Sequence, residues 1–105
     1  MPSRKLKDVL RFIDEHLGED LSLGRIARVA GVSGSHLNVL FGAAVGYSIH
    51  QYVIRRRVDR AAWLLEESRL PVSQIALETG FAHQSHLALH MRRIMGTTPR
   101  KLRTR

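Results

Sequence analysis

Apolar residues recur along this chain at the three- and four-residue spacing of amphipathic helices. Leu6, Val9, Leu10, Ile13 and Leu17 mark the buried side of an opening helix over residues 4–17, with Gly18 as its stop. Leu23, Ile26, Ala27 and Ala30 form one face of a short helix over 23–30, and Ser22 is placed to cap it. Gly31 sits where the chain turns sharply in a left-handed conformation. Val32 and Ser33 then supply an apolar turn residue and a second cap. A helix over about 34–44 follows, packing Leu37, Leu40 and Phe41. Ser48 opens a long helix over about 48–66 that carries Ile49, Tyr52, Val53, Ala61, Leu64 and Leu65. Pro71 presets the start of the next helix, whose stripe is Val72, Ile75, Ala76 and Thr79. Gly80 makes the turn, Phe81 plugs it, and a helix over about 84–95 packs Leu87, Met91 and Ile94. Thr98-Pro99 begins a last short helix in which Leu102 docks while Arg100, Lys101 and Arg103 stay outside.

The chain repeats itself. Leu21-Ser22-Leu23-Gly24-Arg25-Ile26-Ala27-Arg28-Val29-Ala30-Gly31-Val32 matches Leu70-Pro71-Val72-Ser73-Gln74-Ile75-Ala76-Leu77-Glu78-Thr79-Gly80-Phe81 at an offset of 49. After one inserted residue the match resumes at an offset of 50, with Leu37 on Leu87, Phe41 on Met91 and Gly46 on Gly96. Repeats of this length are supersecondary units. Each reads as helix, short turn containing Gly, and second helix, the helix-turn-helix pattern. The expected architecture is all-α, a seven-helix double helix-turn-helix with two three-helix lobes joined by a long linker helix. Lobe one spans about 4–47 with its helix-turn-helix at 23–44. The linker covers about 48–66, and lobe two spans about 70–103 with its helix-turn-helix at 72–95. A linker of that length extends about 27 Å, near the roughly 34 Å pitch between successive major-groove faces once the lobes are added.

Charge sharpens the picture. The formal charge is +8, and 14 of the 17 basic residues are Arg. Residues 1–52 hold six basic against five acidic residues, whereas residues 53–105 hold eleven against four. Such a field points to a polyanion more readily than to a small acidic substrate. The absence of Cys excludes disulfides, thiol nucleophiles and Cys-ligated zinc. The N-terminus is not a signal peptide and no run is long and apolar enough for a membrane helix, so a cytoplasmic, nucleoid-associated protein with no membrane partner is expected.

Ile75-Ala76, Gly80-Phe81, Gln84-Ser85-His86-Leu87, Arg92-Arg93, Gly96 and Thr98-Pro99 together resemble the hallmark segment of the AraC/XylS family of bacterial transcription factors. Tyr52, Arg57, Ala61 and Leu64-Leu65 match that family's linker helix, and Ser33, Leu37, Phe41 and Gly46 its first recognition unit. The resemblance covers about residues 6–103 and concerns the family's C-terminal DNA-binding domain. It implies double-stranded DNA as partner, third and sixth helices near the major groove, and transcriptional regulation, most simply activation with RNA polymerase contact.

Carried onto this chain, the base-reading positions are Ser35, His36, Asn38 and Val39 in the first lobe, and Gln84, Ser85, His86, Ala88 and Leu89 in the second. Family members usually carry Arg where Val39 and Leu89 stand. Arg paired with guanine O6 and N7 is the commonest specific contact, and an aliphatic residue offers only apolar contact, for instance with a thymine methyl. Base hydrogen bonding then falls to Asn38 and Gln84, helped by Ser35, Ser85 and His86, and the target is expected to depend less on guanine. Arg55, Arg56, Arg92, Arg93, Arg100 and Lys101 are the expected backbone contacts. Within Arg55-Arg56-Arg57, at least one guanidinium should pack inward or brace a carboxylate such as Asp59. Gly31, Phe41, Arg57, Trp63, Gly80, Phe81 and Pro99 are expected to be structural, Trp63 by packing between the lobes.

Other constellations carry less. His83, His86 and His90 line one side of a helix, but no carboxylate or Cys completes a metal set, so neither metal nor cofactor is expected. His86 should face DNA, His90 the core edge, and His83 the turn. No catalytic constellation is present, since Ser85 and His86 are helix neighbours that point apart. With no coiled-coil stripe, a chain acting alone would bind as a monomer; a fragment of a longer regulator is the other possibility. The alternative function is an architectural or polymerase-docking protein that binds DNA with little sequence specificity, for which Val39 and Leu89 speak.

Overall fold

The computed structural model describes residues 1–105. It contains seven helices and no strand: α1 (Ser3–Glu15), α2 (Leu23–Ala30), α3 (Gly34–Val45), α4 (Ile49–Glu67), α5 (Val72–Glu78), α6 (Gln84–Met95) and α7 (Pro99–Thr104). The chain forms two compact units, Met1–Val53 and Ile54–Arg105. The first turns of α4 belong to the first unit and the rest of that helix to the second. No helix is long and apolar enough to cross a membrane.

In the first unit α1 packs on α2 and α2 on α3. Val9, Ile13, Leu17, Ile26, Ala27, Ala30, Leu37, Phe41, Ile49 and Val53 form its core. Phe41, wholly buried, meets Tyr52 edge-on with ring centroids 5.4 Å apart. Ala27 is small where α2 is enclosed. Ser22 and Ser33 cap α2 and α3, accepting from the backbone N–H groups of Arg25 and His36. Gly31 closes α2 at φ +68°, a conformation that a Cβ would strain. Two sequence expectations fail here. Gly18 is not the stop of α1: the helix ends at Glu15, where the His16 backbone N–H returns to Ile13 O and the His16 Nδ1–H donates to Phe12 O at 2.6 Å. Leu23 is not core but exposed, lying over Gly34, where an added Cβ would come within 3.0 Å of the Leu23 Cγ.

The second unit repeats the plan. Ile54, Val58, Ala61, Ala62, Leu65, Ile75, Ala76, Phe81, Leu87, Met91 and Leu102 make the core. Thr79 is buried, and its hydroxyl donates to Ile75 O at 2.7 Å, so no polar group is stranded there. Gly80 turns the chain at φ +91° after α5, and Phe81 fills the space beneath the turn. Pro99 is buried at the first position of α7, and Thr98 caps that helix through the Lys101 N–H.

Arg103 does not stay outside. Its guanidinium donates to the carbonyls of Leu65, Ser68 and Leu70, with the Leu65 bond at 3.2 Å and the Ser68 bond at 3.3 Å. It thereby satisfies carbonyls at the end of α4 that no helical N–H reaches. Arg105 also reaches Glu66 at 3.3 Å in a solvent-exposed pair that holds it only weakly.

Candidate nucleic-acid interface

Each unit presents the second helix of a helix-turn-helix, α3 in one and α6 in the other. Their rotation is set by fully buried residues, Leu37 and Phe41 in α3 and Leu87 and Met91 in α6. With these inward, the opposite face of each helix is solvent-facing. On α3 that face carries Ser35, His36, Asn38 and Val39, all exposed, and Val39 is the most exposed large apolar side chain of the chain at 70%. On α6 it carries Ser85, Leu89, Arg92 and Arg93, also exposed, while Gln84 is exposed as the first residue of the helix, on the side of Leu87 and Met91. The two faces begin alike, with Ser35-His36-Leu37 repeated as Ser85-His86-Leu87.

Several candidate side chains have other engagements. The Asn38 Oδ1 accepts from the Ile49 backbone N–H at 3.2 Å, which serves the start of α4. Ser48 and Gln51 cap the same end reciprocally: the Ser48 N–H donates to Gln51 Oε1 and the Gln51 N–H to Ser48 Oγ. With its oxygen already accepting one bond, Asn38 keeps one further lone pair and its amide N–H groups for other partners.

His86 does not project freely either. Its ring is half-buried, edge-on to Phe81 at 5.5 Å, and its Nε2 lies 3.1 Å from the His90 Nε2. Its Nδ1 is buried without a hydrogen-bond partner. The expectation that His86 faces outward is therefore corrected: aromatic neighbours along α6 draw the ring down against the turn. His36, its counterpart, remains exposed. Ala88 is half-buried and shares an open groove with Val72, Gln84, Thr98, Pro99 and Arg100.

His83 does more than occupy the turn expected from sequence. It is the cap of α6, its Nδ1 accepting from the His86 N–H at 3.2 Å. The signal was present in the sequence, because His83 lies 50 positions after the capping Ser33.

The basic groups divide by helix. No Lys or Arg lies on α3, whereas α6 ends with Arg92 and Arg93, and α7 exposes Arg100 and Lys101. On α4, Arg55 is exposed and Arg57 half-buried, while Arg56 braces Asp59 at 3.2 Å. That pair is solvent-exposed and holds Arg56 only weakly. Trp63 contradicts its expected packing role: it is 56% exposed, with the Arg60 guanidinium 5.5 Å from its ring centre. Ala61 and Leu65 face the core, and Trp63, midway between them, must point away.

A family described as a helix-turn-helix domain matches residues 26–105. Among solved structures, an AraC-type DNA-binding-domain regulator from Chromobacterium violaceum superposes with a TM-score of 0.90 at 31% identity, covering 96% of this chain and 90% of that one. The DNA-binding domain of the global transcriptional factor AdpA, solved in complex with a target DNA, also gives 0.90 at 31% identity, over 95% and 90% of the two chains. A probable transcriptional regulator, LumQ of Photobacterium leiognathi, is 36% identical over 84% of this chain and 36% of its own length. The right origin-binding protein of Escherichia coli K12 is 31% identical over 90% of this chain and 32% of its own length. The chain thus spans about a third of the length of these two relatives.

Proposed function

Because this chain belongs to the AraC-type helix-turn-helix family of DNA-binding transcriptional regulators, we propose that it binds double-stranded DNA at a specific sequence, with α3 and α6 reading two adjacent major-groove segments. The observation that carries this reading is the duplicated face: two helix-turn-helix units expose equivalent Ser and aliphatic positions on helices whose other sides are locked into separate cores. Support comes also from the AdpA domain, which was solved on its target DNA.

In this reading Ser35, His36 and Val39 meet base edges in one segment, and Gln84, Ser85 and Leu89 in the other. Asn38 contributes through its side-chain amide, whose oxygen is shared with the Ile49 N–H. Arg55, Arg92, Arg93, Arg100 and Lys101 hold phosphates, which position the protein without reading sequence. The protein acts in the cytoplasm and raises transcription by contacting RNA polymerase beside its site.

Selecting bound duplexes from a random pool at near-physiological salt tests the reading. A single recovered motif, whose protection from cleavage covers two consecutive major-groove turns, is the expected result. Equal retention of all sequences with a steep salt dependence would leave only a low-specificity architectural role. Transcription in vitro from a promoter bearing the motif, with and without the protein, tests activation.

A further inference from the structure

We infer that each recognition helix reads the 5-methyl group of a thymine, one in each segment, through Val39 on α3 and Leu89 on α6. The inference rests on the specific-binding reading above and adds what the two sites share.

Val39 and Leu89 are equivalent positions, separated by the same offset of 50 that relates Leu37 to Leu87 and Phe41 to Met91. Leu37 and Leu87 are wholly buried. A residue two places further on lies about 200° around an α-helix, so both aliphatic side chains are aimed away from their cores. They are 70% and 46% exposed. One exposed aliphatic residue on a surface is ordinary. Eight large apolar residues are exposed on this chain. Only these two stand at matching positions on the outward faces of the two recognition helices, which points to a shared apolar target.

The polar side chains around them strengthen the assignment. One turn before each aliphatic residue stands a Ser, Ser35 before Val39 and Ser85 before Leu89, at the four-residue spacing that puts both on one face. Asn38 has its oxygen on the Ile49 N–H, and the His86 ring lies against Phe81 and His90. What both readers offer in common is therefore a small hydroxyl and, next to it, a methyl-rich surface. The major-groove edge of a duplex has one apolar group to match that surface, the C5-methyl of thymine; the remaining groups there are hydrogen-bond donors and acceptors. A cytosine or guanine edge at these positions would lose hydration against Val39 or Leu89 and gain no bond. The hydroxyl, able to donate or accept, can serve the adjoining base. 5-Methylcytosine presents the same methyl group.

The experiment uses the motif recovered by selection, with 2′-deoxyuridine placed at each thymine in turn. One position in each segment is expected to bind about fourfold more weakly, the factor for burying one methyl group. The loss at one position should disappear in Val39→Ala, and the loss at the other in Leu89→Ala. Both residues are exposed and both changes favour helix, so circular dichroism should show intact folding. At each sensitive position 5-methylcytosine should bind better than cytosine. A recovered motif in which no uracil weakens binding, losses that persist in both variants, or 5-methylcytosine no better than cytosine would overturn methyl reading while leaving specific binding in place. A pool that yields no motif would overturn both.

Discussion

The side-chain oxygen of Asn38 accepts a hydrogen bond from the backbone N–H of Ile49, joining the middle of α3 to the first turn of α4 across eleven residues of sequence. The first N–H groups of a helix have no partner within it, and the reciprocal Ser48–Gln51 cap satisfies others at the same end. Asn38→Ala should therefore lower stability by about 1 kcal/mol, the usual loss for a capping side chain. Asn38→Asp, which keeps the acceptor, should melt within a degree or two of the parent. Thermal denaturation of the three proteins decides the matter, and equal melting temperatures for Asn38→Ala and the parent would show the bond to be immaterial.

The cap of α6 invites a gain instead of a loss. His83 accepts from the His86 N–H through a ring nitrogen, whereas the equivalent cap in the first unit is Ser33. Serine is among the preferred capping residues. His83→Ser should hold or raise the denaturation midpoint, and His83→Ala should lower stability by about 0.5–1 kcal/mol. Urea titrations followed by helical ellipticity give both values.

What could be read in the sequence was what is local. The apolar spacing located seven helices, the five given both bounds falling within about two residues, and Ser22, Ser33, Ser48, Gly31 and Gly80 announced ends by residue type. Exposure of Trp63 was legible too, since the flanking core residues Ala61 and Leu65 fix the helix phase and outweigh the apolar character of the side chain. Gly18 misled in the same way, because side-chain and backbone bonds of His16 finish α1 first. The partners of Asn38, His86 and Arg103 could not be seen. Those of Asn38 and Arg103 depend on which distant atoms the folded chain brings near, as with Arg103 and the Leu65 carbonyl 38 residues away. The neighbours of His86 are local and follow from how Phe81 closes the turn.

Arg103 supplies three donors to the carbonyls at the end of α4 and in the loop after it. Hydrogen bonds from a charged donor are worth about 1.5–3 kcal/mol where they are shielded, and this side chain is half-buried. Arg103→Ala should cost the second unit about 2 kcal/mol. Lys cannot reproduce the planar fork, so Arg103→Lys should recover less than half of that. Full recovery by Lys in chemical denaturation would mean that charge alone, not the three-way geometry, matters.

As the sole Trp, Trp63 reports its own surroundings. At 56% exposure its emission should lie near that of free indole in water and be quenched readily by iodide. Trp63→Ala should change stability by less than about 1 kcal/mol, well below the roughly 3–5 kcal/mol of a buried Trp. A blue-shifted, unquenched spectrum would place the ring in a dry environment and refute the exposure.

Charge separates the two readers more sharply than shape does. Helix α3 carries no Lys or Arg, whereas α6 ends in the exposed pair Arg92 and Arg93. Phosphate contacts release condensed counterions, and each one adds about 0.9 to the slope of log affinity against log salt. If Arg92 holds a phosphate, Arg92→Ala should weaken binding to every duplex by a similar factor and reduce that slope by about 1. Substitutions of Ser35 or Val39 should leave the slope unchanged while altering preference among sequences. Titrating the parent, Arg92→Ala and Val39→Ala with cognate and scrambled duplexes at several salt concentrations measures both effects. An unchanged slope for Arg92→Ala, or loss of affinity for one sequence only, would assign Arg92 to base reading instead of the backbone.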